Sequence, residues 1–187
     1  MNSHYEFTEN FRPGTLEKLG FAWEKIHQLN KKATLVRVSG YGQTGPYKER
    51  YAFDRIGLGM GGLTYITGFK EMPPLRPGVA LADYLTGLMS ALSIMFALYH
   101  RDINGGEEGQ YIDLSLYEPV LRIMESTVLQ YSLTVEVRER EGNAHQSTAP
   151  SGHFKTKDNK WISIAIGDNH IFERFAKCMN RLDLMER

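Results

Sequence analysis

From Leu88 to Tyr99 the sequence is almost wholly hydrophobic. The stretch that leads into it, Arg76-Pro77-Gly78-Val79-Ala80-Leu81-Ala82-Asp83-Tyr84-Leu85-Thr86-Gly87, sets a single carboxylate, Asp83, at the mouth of that run. Pro77 and Gly78 punctuate a loop, so a long helix is expected from Leu81 to Arg101. The apolar run itself is shorter than the roughly 20 residues a bilayer needs, so it reads as a buried helix. Asp83 is then either a helix-start acid or a carboxylate held partly away from water for chemistry.

Composition narrows the class. Of 187 residues, 42% are hydrophobic and 24% charged, the balance of a soluble globular chain with one domain or parts of two. Lys plus Arg and Asp plus Glu both number 22, which leaves no basic excess for a phosphate backbone and argues against nucleic acid as a partner. A single cysteine, Cys178, excludes an intrachain disulfide framework and fits a reducing compartment. The polar start, Met1 to Glu6, carries no signal-peptide core, so a cytoplasmic protein without a membrane segment is expected.

Strand and helix alternate along the first two thirds. Thr34 to Ser39 is a β-branched run that ends in Gly40 and reads as a strand. Gly40-Tyr41-Gly42-Gln43-Thr44-Gly45-Pro46 follows as a glycine loop, where α/β folds place their ligands. Short helices are expected over Thr15–Gly20 and Phe21–Asn30, and a helix rich in glycine over Phe53–Thr67. Gln110 to Leu116 alternates as a strand, and Tyr117 to Leu133 reads as a helix bent at Pro119. His153–Thr156 and Lys160–Ile166 form a hairpin, and Asn169–Arg181 closes as an amphipathic helix with Ile171, Phe172, Phe175 and Met179 inward. This pattern is α/β, with a first part over 1–135 and a charged linker at Glu136–Asn143 that opens a second part over 136–187.

Several constellations have a plain structural reading. Ile56-Gly57-Leu58-Gly59-Met60-Gly61-Gly62 lacks the preceding strand and the spacing of a dinucleotide fingerprint, so its glycines are expected to let a helix pack closely. A nicotinamide or flavin function is set aside. The six histidines show no metal-ligand spacing, and His145-Gln146-Ser147 lacks the shaped elbow of a serine hydrolase. Asn10-Phe11-Arg12-Pro13-Gly14 is either a turn before a helix or an anion-binding segment, and Asp54 taken alone is an early-helix acid.

The order of the segments adds what no one of them carries. Asn10-Phe11-Arg12-Pro13-Gly14-Thr15-Leu16-Glu17-Lys18-Leu19-Gly20-Phe21 comes first, then Val36-Arg37-Val38-Ser39-Gly40-Tyr41-Gly42-Gln43-Thr44-Gly45-Pro46-Tyr47 and Phe53-Asp54-Arg55-Ile56. Arg76-Pro77-Gly78-Val79 with Leu81-Ala82-Asp83-Tyr84 follows, and then Gly109-Gln110-Tyr111-Ile112-Asp113-Leu114-Ser115-Leu116-Tyr117-Glu118. In this order the series closely resembles the class III coenzyme A-transferase family, the CaiB/BaiF group that includes formyl-CoA transferase and carnitine CoA-transferase. The resemblance spans nearly the whole chain.

The resemblance implies part of a Rossmann-like CoA-transferase large domain, followed by a linker and the start of a smaller α+β domain. It implies Asp83 as the nucleophile, carrying the acyl group first as a mixed anhydride and then as a CoA thioester. CoA contacts fall on Asn10, Phe11, Arg12, Lys18, Tyr51, Ala52, Phe53 and Asp54, and substrate contacts on Asn143, Ala144, His145 and Gln146. Where some family members carry a glycine loop over the site, this chain has His145-Gln146-Ser147-Thr148. CoA is then a substrate, with no permanently bound cofactor and no metal, and the partners are an acyl-CoA, a carboxylic acid and a second subunit in an interlocked homodimer. The related racemases place a histidine where this chain has Phe53, which cannot move a proton, so transferase is favoured over racemase. Family members are much longer, so a shortened or split chain is expected, and a non-catalytic CoA-binding fragment stands as a further alternative.

Overall fold

In the computed structural model, residues 6–145 and 147–185 are described. The chain runs β1 (Glu6–Glu9), α1 (Thr15–Lys18), α2 (Trp23–Leu29), β2 (Thr34–Ser39), α3 (Asp54–Met60), α4 (Leu63–Ile66), α5 (Leu81–Asp102), β3 (Tyr111–Ser115), α6 (Glu118–Arg122), α7 (Thr127–Thr134), β4 (Ser151–Lys155), β5 (Trp161–Ala165) and α8 (Asn169–Cys178), then a short 3-10 turn at Leu182–Met185. The fold is α/β. Its residues gather into two units, Met1–Tyr65 with Arg76–Arg138, and Ile66–Leu75 with Glu139–Arg187.

In the first unit three parallel strands lie in the order β1-β2-β3, with β2 central. A central strand of a parallel sheet is covered on both faces and so tolerates an apolar run. Accordingly, Thr34, Leu35, Val36 and Arg37 are all buried. Leu35 packs with Ile26 and Ala33 under Leu16 and Trp23, which brings α1 and α2 onto one face. Helix α5 packs against β2 and β3. Leu58, Ala82 and Val120 form a second cluster that joins α3, α5 and α6, with Leu63, Leu81 and Leu85 around it.

The glycines of α3 do close packing. A Cβ on Gly57 would stand 3.0 Å from the Leu116 Cβ and 3.3 Å from the Ala82 Cβ, and one on Gly61 would meet Val120 Cγ1 at 2.5 Å. The expected single helix over Phe53–Thr67 instead breaks in two at Gly61-Gly62, where Gly62 adopts φ +89°.

The expectation of a buried helix over Leu88–Tyr99 is corrected. Helix α5 has 22 residues and buries only its narrow side, Ala82, Thr86, Ser90 and Ala97. Tyr84, Leu88, Leu92, Met95, Phe96 and Tyr99 are all exposed. Small residues let the helix lie close to the sheet, and the bulky ones recur at helical spacing on the far side. By length and composition α5 is also long and apolar enough to cross a membrane, a test that the core helices of soluble proteins pass too.

Other departures are local. β1 escapes the sequence reading because Glu6-Phe7-Thr8-Glu9 has the charge of an edge strand rather than the apolar run of a central one. The helix expected over Tyr117–Leu133 is two helices, α6 and α7. Pro119 sits in the first turn of α6, where its missing N–H costs nothing, and the break comes later, around Glu125 at φ 53°.

In the second unit β4 and β5 pair antiparallel, and Asn159 turns the connection at φ 62°. Asp168 caps α8 by accepting the Ile171 N–H at 2.9 Å. In α8 it is Ala176 that is buried. Phe172 and Phe175 are half-buried, while Ile171 and Met179, expected inward, are exposed.

Candidate active site

Helix α5 starts without a cap of its own, because Ala80 at the N-cap offers no side-chain acceptor. The first N–H groups of a helix need partners from elsewhere. One comes from α3: the buried Asp54 accepts the Ala82 N–H on Oδ1 at 2.8 Å. Its second oxygen is buried with no hydrogen-bond partner among the described residues. Asp83 is the next residue along, in the first turn of α5, where a carboxylate meets the positive end of the helix.

Asp83 is exposed on the rim of a cleft of about 740 Å³. Thr8, Glu9 and Asn10 leave β1 into this cleft, and Val38, Ser39 and Gly40 leave β2 into it. It therefore opens at the carboxyl ends of parallel strands, where α/β folds bind ligands. Ala52 and Phe53 form one side, and Thr86, Gly87, Ser90, Ala91 and Ile94 of α5 form another. The Thr86 and Ser90 hydroxyls donate to the helix carbonyls of Ala82 and Thr86, at 2.8 Å each. The α5 wall thus presents mainly methyl, methylene and backbone surface. Asp83 also borders a shallower depression of about 490 Å³ with Ala80, Tyr84, Gly87 and Leu88.

Two effects push the Asp83 carboxyl above its ordinary range: partial burial, and next the negative charge of Asp54. Because Asp83 is exposed, water screens much of this. A more basic carboxylate is a better nucleophile, so the shift has the sign acyl chemistry needs.

The close approach of two small residues sets the entry to α3. A Cβ on Gly40 would stand 2.4 Å from the Ala52 Cβ, so only glycine lets the end of β2 lie against Ala52-Phe53-Asp54. The following glycine loop is tied down by Asp113 on β3, which accepts the Gln43 N–H at 2.9 Å.

The expected CoA-contacting residues fall into two groups. Asn10, Ala52 and Phe53 share the cleft with Asp83, and Asp54 lies beneath the start of α5. Arg12 and Tyr51 meet each other: the guanidinium lies 3.9 Å from the Tyr51 ring centroid, Nη1 donates to the Tyr51 hydroxyl at 2.6 Å, and Nη2 donates to the Glu49 carbonyl at 3.2 Å. Phe11, next to Arg12 in sequence, is exposed, and Lys18 ends α1 on the surface outside the cleft lining.

Of the expected substrate loop, Asn143, Ala144 and His145 belong to the second unit, and Gln146 lies outside the described residues. Within that unit Gly142 donates its N–H to the Gly68 carbonyl at 2.8 Å, and His145 Nδ1 lies 3.3 Å from both the backbone N and Oγ of Ser147.

Sequence reasoning passed over Glu9, Arg37, Ser39, Thr86 and Asp113. Arg37 left one signal, a charged residue inside an otherwise apolar strand, which must find partners when buried.

Comparison with known proteins shows the family. Residues 7–187 match the model of CoA-transferase family III. The chain belongs to CoA-transferase family III. It is 45% identical over 178 residues to the succinyl-CoA–L-malate CoA-transferase beta subunit of Chloroflexus aurantiacus, covering 94% of this chain and 44% of that one. It is 44% identical to the succinyl-CoA–D-citramalate CoA-transferase of the same organism, covering 94% and 43%. Among solved structures, a CaiB/BaiF family protein from Brucella suis superposes with TM-score 0.82 at 31% identity, over 98% of this chain and 48% of that chain. The chain therefore spans about half the length of the family members it matches.

Proposed function

We propose that the protein moves CoA from an acyl-CoA thioester to a free carboxylic acid, with Asp83 as the nucleophile. The observation that carries this reading is the placement of Asp83. It stands in the first turn of α5, on the rim of a cleft at the strand ends, beside the buried Asp54 carboxylate. The names of its relatives point to succinyl-CoA as a donor and to four- or five-carbon dicarboxylic acids as acceptors.

In the proposed sequence an Asp83 oxygen attacks the thioester carbonyl carbon, the C–S bond breaks, and CoA leaves as the thiolate. The product is a mixed anhydride between the acyl group and Asp83. The thiolate then attacks the Asp83 carboxyl carbon and expels the donor acid as its carboxylate, leaving an aspartyl-CoA thioester. The acceptor carboxylate attacks that carbon and again frees the thiolate, which takes the acceptor acyl group from the new anhydride and restores the Asp83 carboxylate. Each step exchanges one anion for another, so no general acid is required. The anhydride needs shelter from water, and the wall of α5 between Gly87 and Ile94 offers apolar surface for it. Arg12, a guanidinium with five N–H donors of which two are engaged among the described residues, keeps others to offer a CoA phosphate. Two relatives are named as alpha and beta subunits of one transferase, and a dimeric assembly is part of this proposal.

The test is to mix the full-length protein with succinyl-CoA, trap with hydroxylamine, and map the adduct by mass spectrometry. Label on Asp83, absent from Asp83→Ala, is expected. Turnover in a protein whose Asp83 stays unmodified would refute the mechanism.

A further inference from the structure

Arg37 sits in the middle of β2 with its side chain only 3% exposed. It shares a register position with Glu9 on β1 and Asp113 on β3. A buried guanidinium must have its donors and its charge satisfied. Arg37 Nε is ion-paired with Glu9. Nη1 and Nη2 fork onto the two oxygens of Glu17, at 2.5 and 3.3 Å. The fork holds the Glu17 carboxyl below its usual range.

What these two acids flank gives the cluster its meaning. Glu9 ends β1, and its second oxygen accepts the Phe11 N–H at 2.6 Å. Glu17 lies in α1, which begins just after Gly14 turns the chain at φ +81°. Arg37 thus ties both ends of the Asn10–Gly14 segment to the central strand. Between those ties Arg12 reaches over to Tyr51, and Asn10 reaches into the cleft.

We propose that Arg37 is a positioning residue for recognition of the nucleotide end of CoA, acting through Glu9 and Glu17 on the Asn10–Gly14 loop. The inference rests on the CoA-transferase reading of the cleft. Its role is geometric: the ion pair with Glu9 and the fork onto Glu17 fix where the loop between them presents Asn10 and Arg12. Lysine would keep the charge but not the fork.

The test compares acyl-CoA with acyl-pantetheine, which keeps the thioester and lacks the nucleotide. Arg37→Lys and Glu17→Gln are made in the full-length protein; the second touches the more exposed partner and guards against a variant that does not fold. Both are expected to lower the ratio of kcat/KM for acyl-CoA over acyl-pantetheine by about tenfold or more, through KM rather than kcat. Equal losses on the two substrates, or an unchanged ratio, would show that Arg37 only supports the fold and would overturn the proposal. Calorimetry with CoA and with pantetheine repeats the comparison without turnover. Weakened CoA binding with unchanged pantetheine binding in the variants upholds the clamp even if Asp83 carries no acyl group. Normal Asp83 labelling with unchanged CoA preference removes the clamp and leaves the transferase reading standing.

Discussion

Asp54 caps a helix it does not belong to: its Oδ1 accepts the N–H of Ala82, the residue that immediately precedes Asp83. One buried carboxylate thereby fixes the start of α5 and raises the proton affinity of the next acid along. Both consequences can be measured apart.

Asp54→Asn keeps an oxygen for the Ala82 N–H and removes the charge. In the proposed mechanism Asp83 must be ionised to attack, so activity is expected to rise with pH through its raised pKa, with the acid limb of kcat/KM above the ordinary carboxylate midpoint. Of the two causes, burial remains in the variant and the Asp54 charge goes, so the limb is expected to move part of the way toward acid. Asp83 also holds its proton more tightly folded than unfolded. Its contribution to stability is therefore full below the unfolded pKa and lost as pH rises through the folded one, and Asp54→Asn shrinks that loss. A pH–rate profile that does not shift would dissociate the two acids.

Asp54→Ala removes the acceptor as well. The Ala82 N–H is then left buried without its partner, and the expected cost is about 1–2 kcal/mol in a denaturant titration. A loss no greater than that of Asp54→Asn would show the cap to be unimportant.

Gly40→Ala is expected to force the end of β2 away from Ala52, costing about 1–3 kcal/mol and reducing transfer, because the new methyl would sit 2.4 Å from the Ala52 Cβ. Adding Ala52→Gly reopens the space. A double-mutant cycle should show recovery in the pair, and strictly additive losses would refute the contact.

Asp113 is expected to separate charge from hydrogen bonding. Burial, followed by the nearby Glu118 charge, lifts its carboxyl above the ordinary range, while the Gln43 N–H pulls it down. The raised sign means that its stabilising contribution is complete below the unfolded pKa and lost as pH rises through the folded one. Asp113→Asn should therefore flatten the stability profile on the acid side and hold or raise stability at neutral pH. Asp113→Ala should lose about 1–2 kcal/mol and speed amide exchange at Gln43. Equal behaviour of the two variants would contradict this account.

Phe53, at the N-cap of α3 and lining the cleft, has no group that can take a proton from carbon. Incubation of a branched acyl-CoA in deuterated water is expected to give no exchange at the α-carbon. Exchange by the wild-type protein would favour the racemase alternative.

Local chemistry determined a good part of this protein from the sequence alone. The β-branched run of β2, the alternation of β3, the hairpin and the extent of α5 are each written in neighbouring residues, and so is the order of segments that marks the family. The tight glycines of α3 were legible as packing positions, although their partners were not. Tertiary structure decided what depends on residues far apart. Asp54 and Ala82 are 28 positions apart and meet through the packing of α3 on α5, where Gly57 leaves room for Ala82. Glu9, Arg37 and Asp113 align only through the register of three parallel strands. The exposure of α5's bulky face was likewise invisible, because periodicity shows that a helix has two sides and only packing decides which one the sheet takes. That choice followed the small residues at Ala82, Thr86 and Ser90, and it set Asp83 on the rim of the cleft rather than beneath it.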